Sequence, residues 1–325
     1  MSGEQHTSPG DRLIDRLLRE MPCEPGWTRR SPEFGEWWPG DYSMQLRCIA
    51  SGEFAGQPYS QVELRTPVLR GIRSPRYAES LVRPLRVGGT LSSLVVNRSE
   101  ATIDLRTSVF TAWDHHEIPY QLLGMAMILQ IPERQRLAMM LAPRTGGEIV
   151  RSHPPDEPVR TEPDPQSELW RQLDVFAASA PPIDPREVAG FLASRTFPSL
   201  QAALDGGVPV AWFPWGPAAP GDRMVPTSQL QVHLDIRHAV GFRGHLLVLD
   251  PPDVVRESAT SLQRRDIGLR QPVHTCGGWH EASFGSDSDH PQLSCFIPAS
   301  LGISGVREMA HMMGVRSVLL GGSGG

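Results

Sequence analysis

The chain contains no lysine: all 31 of its basic residues are arginine. A GC-rich genome that favours Arg codons produces this pattern, and so does avoidance of lysine-directed tagging; both explanations stay open. Cysteine is scarce as well. Cys23, Cys48, Cys276 and Cys295 form no CxxC pair, and a small secreted scaffold would be denser in them. They read as reduced thiols, which points to a cytoplasmic location. No apolar run approaches the roughly 20 residues that span a bilayer, and the opening MSGEQHTSPGDR is polar, unlike a signal peptide. Net charge is −5 with no basic domain, which argues against nucleic acid or an anionic membrane as partner. The GxGxxG, P-loop and HExxH signatures are absent.

What is present suffices for packed cores: 39 % of the 325 residues are hydrophobic, enough for one large or two medium domains. Ser8 followed by Asp11 marks a helix start, and Leu13, Ile14, Leu17, Leu18 and Met21 make one apolar stripe at helical spacing. Glu36-Trp37-Trp38 suits a short strand. Tyr42, Met44, Leu46 and Cys48 alternate with polar residues, as do Val62 and Leu64 beyond a Gly/Pro turn, giving an antiparallel pair. Helical spacing returns over Tyr77–Leu85. Strands follow at Leu91–Val96 and Ile103–Phe110, then an apolar helix over Pro119–Gln130 that resumes after Pro132 to Leu141.

Residues 143–166 are rich in Pro, Gly and acids and read as a linker. Beyond it, helical patterns cover Ser167–Ala178 and Pro185–Ser194. Strands are expected at Val208–Phe213, Leu230–Ile236, His245–Leu249, Gly277–Phe284 and Leu293–Ile297, with helices at Asp253–Gln263 and Ser304–Arg316. The expectation is an α+β protein of two tandem α-β-β-β-α-β-β-α modules. They occupy 1–142 and 167–320, separated by the 143–166 linker, and a Gly/Ser tail follows at 321–325. The repeat rests on element order, since the halves share no residue-level identity.

An α-β-β-β-α-β-β-α module resembles the type III secretion chaperone fold and its YbjN-type relatives. Glu36-Trp37-Trp38-Pro39, the run Leu64 to Gly71, Gly89 to Val95, Ile103 to Val109, and His238 to Phe242 with Leu246 to Leu249 look like the tandem actinobacterial members of that group. The resemblance implies a chaperone-like, protein-binding module with no cofactor and no general catalytic residue. Two covalently joined modules in place of a dimer would make the chain a pseudo-dimer.

The residues themselves supply candidate contacts for a client or partner protein: Met125, Met127, Met309, Met312 and Met313 lie in the closing helices, where unbranched thioethers repack against varied surfaces. Trp37, Trp38, Trp212 and Trp215 sit at the first strand of each module, where half of the rings would face away from the core. Core packing is the competing explanation for both sets. A structural subunit of a larger assembly would need the same surfaces.

Two clusters favour the rival reading of an enzyme or a zinc protein. His274, Cys276, His280, His290 and Cys295 are the residue types that zinc prefers, at irregular spacing. In Trp113-Asp114-His115-His116-Glu117, the two His could bind one metal from a loop, or Asp114 or Glu117 could cap the next helix. His233 and Asp235 share one face of an alternating strand and could act as an acid–base pair.

Overall fold

The computed structural model describes residues 8–21, 24–157, 181–194, 199–217, 225–238, 243–281 and 290–322. Cys23, the helix expected at Ser167–Ala178 and the last part of the linker lie outside them. The chain forms two compact units. The first comprises residues 1–82, 91–173 and 270–276, and the second 83–90, 174–269 and 277–325.

In the first unit, α1 (Pro9–Glu20) begins as its sequence dictates: the Ser8 hydroxyl accepts the Asp11 N–H at 3.1 Å. Then come β1 (Thr28–Ser31), β2 (Phe34–Trp37), β3 (Met44–Phe54), β4 (Gln57–Arg70), α2 (Pro75–Val82), β5 (Ser93–Asn97), β6 (Thr102–Ala112), α3 (Glu117–Thr145) and β7 (Glu148–Ile149). The sheet is antiparallel in the order β1-β2-β3-β4-β6-β5, with β7 on the end of β4. The linker expected from residue 143 thus starts as the end of α3 and a short strand.

In the second unit, α4 (Pro185–Leu192) precedes β8 (Gln201–Asp205), β9 (Val208–Pro214), β10 (Thr227–Arg237) and β11 (Arg243–Asp250). These are followed by α5 (Ala259–Ile267), β12 (Gly278–Glu281), β13 (Pro291–Pro298) and α6 (Gly302–Gly322). Its sheet, also antiparallel, runs β8-β9-β10-β11-β13-β12. The two sheets therefore share one path: a four-strand meander, a helix, and a hairpin whose second strand docks beside the fourth strand. The sequence suggested three strands before the middle helix. The extra ones, β1 (TRRS) and β8 (QAALD), are short edge pieces without apolar alternation.

Each sheet is closed on one face by its last helix. In α3, the fully buried Gln130 accepts from Thr66 and donates to Ser92 at 2.9 Å and Thr107 at 3.2 Å. The helix runs unbroken through Pro132, where an interruption was expected. Proline removes one helical hydrogen bond, and burial of Leu129, Leu137, Ala138 and Leu141 on both sides of it holds the helix on the sheet. In α6, Gly314 lets the helix approach β9: a Cβ there would stand 2.3 Å from the Phe213 ring. Arg316, two residues on, is fully buried and makes a two-pronged ion pair with the equally buried Asp266 of α5, which also accepts the Trp279 indole N–H at 3.1 Å. Among the described residues, no helix is long and apolar enough to cross a membrane.

Candidate partner-binding site

Period-two alternation sends half of each strand's side chains away from the helices. In the first unit that outward face is ionic. Asp104, at the centre, receives Arg65 at 3.0 Å and Arg106 at 3.2 Å; Arg65 also reaches Glu100 at 2.6 Å, and Arg106 lies 3.6 Å from Glu63. Each arginine of this network has a carboxylate partner, so an apolar partner would have to desolvate their exposed parts.

The second unit's outward face has another character. Trp212, Gln231, His233, Leu246, Val248 and Asp250 are half-buried and lie in facing registers across β9, β10 and β11. Burial raises the Asp250 carboxyl above its ordinary range, against the opposing pull of the Gln292 amide and of His290 and His233. The result is a half-open surface of one indole, two aliphatic side chains, an amide, an imidazole and a carboxyl. That combination suits another polypeptide, which buries apolar area and satisfies amides at the rim.

The other expected contact residues are distributed differently. Trp37 and Trp38 are both buried, 1 % and 3 % exposed. Trp37 ends β2 facing the core. Trp38 lies beyond the strand, where its N–H donates to the Trp27 carbonyl at 2.9 Å, so alternation does not turn it outward. Met127, Met309 and Met313 are fully buried and Met312 nearly so, filling the space under their helices. Met125, Trp212 and Trp215 are half-buried, and the Trp215 ring meets Trp279 edge-on at 6.5 Å.

The His/Cys group is divided between the units: His274 and Cys276 belong to the first, His280, His290 and Cys295 to the second. His274 is buried, and its Nδ1 accepts the Phe110 N–H at 3.0 Å, so the neutral ring carries its proton on Nε2 and offers a metal no lone pair there. In the second unit, alternation along β12 and β13 places Cys295 on the helix-covered face and His280 on the opposite one. Burial pushes the Cys295 thiol up to about 12 and lowers the His280 imidazole. A thiol held protonated is a poor nucleophile and a poor ligand. Cys48 is likewise pushed up to about 12, chiefly by burial.

The residues of the Trp113–Glu117 segment make local contacts. His115 stacks on Phe110 at 5.7 Å, the His116 ring meets the Trp113 carbonyl at 3.1 Å, and Glu117 pairs with Arg16 at 2.8 Å. No side chain caps α3. His233 and Asp235 do not form a pair: the register shifts between His233 and Ile236, Asp235 takes a left-handed φ of 58°, and its carboxylate holds Arg243.

Among the features that sequence reasoning missed are β8 and residues 273–276, whose Thr275 bridges Ser108 on β6. The first had a signal, the Gly206-Gly207 pair of a two-residue hairpin turn. The second rests on a pairing across more than half the chain and leaves no local trace. Compared with protein-family models, with curated proteins and with solved structures, the chain matches none.

Proposed function

We propose that the chain is a non-enzymatic, chaperone-like adaptor that binds a client or partner protein, its tandem modules acting as an internal pseudo-dimer. The observation that carries this reading is the outward face of the second sheet, where Trp212, Leu246 and Val248 stand half-exposed beside Gln231, His233 and Asp250. The common strand path of the two sheets supports the tandem part. The protonated thiols of Cys48 and Cys295 favour binding over catalysis. Trp is enriched at binding hot spots because one ring covers a large area at little entropic cost.

The test is native mass measurement of the protein isolated from its own host. A client is expected at fixed stoichiometry, lost from Trp212→Glu while that variant keeps its fold. Isolation of the chain with no bound polypeptide, or unchanged retention by Trp212→Glu, would contradict the proposal.

A further inference from the structure

The four sheet edges are not protected alike. β1 carries Arg29 and Arg30 within four residues, and charge on an edge deters pairing with another chain. β5 is buried beside α2, and β12 is short, buried and packed against the 3-10 helix Pro84–Gly88. β8 packs against α4 but has neither the arginines of β1 nor the burial of β5 and β12. Among the described residues it hydrogen-bonds to β9 alone, and it carries no proline, no basic residue and no charge before Asp205. Leu204 is 42 % exposed and Leu200, just before the strand, 60 %.

Its free backbone groups have a defined register. The turn is Gly206-Gly207, with φ of 54° and 90°, so Asp205 and Val208 close a two-residue hairpin as a hydrogen-bonded pair. Alternation then turns the N–H and C=O of Ala203 toward β9, and those of Ala202 and Leu204 outward.

We propose that this edge pairs with the same edge of a second copy of the chain, antiparallel about a two-fold axis through Ala203. In that register Ala202 faces Leu204 of the second copy and Leu204 faces its Ala202. Both pairs exchange their outward N–H and C=O groups. The methyl of Ala202 leaves room for the leucine. On the opposite face Ala203 meets its own counterpart, and Gln201 lies across from Asp205 of the second copy, where an amide can donate to the carboxylate. No like charges face each other. The same operation on β1 would set arginine close to arginine. The occupant is therefore a second copy: the strand is self-complementary in side-chain size, charge and hydrogen-bond register together. This self-pairing stands apart from client binding, although it would join two outward faces into one continuous sheet.

The experiment is sedimentation velocity on the full chain over a dilution series, with mild oxidation of cysteine variants. A concentration-dependent dimer is expected. Ala202→Pro, which removes an outward N–H and leaves the β9 pairing intact, should give monomer with an unchanged far-UV spectrum, as should Leu204→Arg. Ala203→Cys should form an intermolecular disulfide, because non-hydrogen-bonded antiparallel partners sit about 4.5 Å apart at Cα. Gln201→Cys, facing Asp205 of the second copy, should not. A wild-type chain that stays monomeric throughout, or a dimer that survives both Ala202→Pro and Leu204→Arg, would overturn the proposal. So would a dimer that cross-links equally through both cysteines.

Discussion

The two sheets follow one strand path and differ in what their outward faces carry. In the first unit the outward face carries the Arg65–Asp104–Arg106 network, and Gln130 and the buried Arg134 of the closing helix bond to the sheet beneath it. In the second, the ion pair Arg316–Asp266 is sealed beneath the closing helix and the outward face sets Trp212, Leu246 and Val248 beside His233 and Asp250. Topology is thus separable from the placement of charge. Asp104 is as fully buried as Asp266, and each carboxylate must recover its desolvation through geometry, Asp104 from two arginines that stay partly exposed and Asp266 from one that is sealed with it. The unit with the sealed pair is the one whose outward face presents an indole and two aliphatic side chains.

The largest expected effect comes from breaking the sealed pair. Asp266→Ala leaves Arg316 buried and uncompensated and should cost about 3–5 kcal/mol in denaturant unfolding. The double variant Asp266→Leu, Arg316→Met should recover most of that loss, since the charge leaves with its partner. If Asp266→Ala is nearly neutral, the pair is not sealed. Next comes Gly314→Ala, whose Cβ would press on the buried Phe213 ring and should cost about 1–3 kcal/mol. On the first sheet, Arg65→Ala should cost less, about 1–3 kcal/mol, because the buried Asp104 keeps the partly exposed Arg106. Added salt should shrink this difference further and leave that of Asp266→Ala nearly unchanged.

The smallest effects are in pH. His245 and His280, both in the second unit, are lowered by burial. Folding therefore favours their neutral forms, a contribution fully present above the ordinary imidazole value of about 6.5 and lost as pH falls through the lowered folded values. His280→Gln should flatten the decline in stability on acidification, followed by thermal melts. Asp250 behaves oppositely. Its raised carboxyl favours the protonated form, so that contribution is lost as pH rises through the raised value, and Asp250→Asn should stabilise at neutral pH and not in acid.

Strong periodicity made the long strands legible: β3, β4, β10 and β11 fall where alternation placed them, and Ser8 caps α1 as expected. The edge strands β1 and β8 were not legible, because an edge strand outside the core need not alternate. The tryptophans of the first unit were misjudged for another reason: alternation orients a side chain only while the chain stays in the strand, and Trp38 has already left it. The methionines could not be divided by composition, since which of them face the sheet depends on each helix's rotation about its axis. The outward face of the second sheet was half legible, through Trp212. Its aliphatic residues become informative only beside the ionic face of the first unit.

The most direct test of the account is a paired substitution, Val248→Glu on the second sheet and Arg65→Glu on the first, with client retention measured for both folded proteins. Loss of the client with Val248→Glu and its retention with Arg65→Glu is the predicted result. The reverse pattern, or equal retention by both, would contradict the assignment of the binding face.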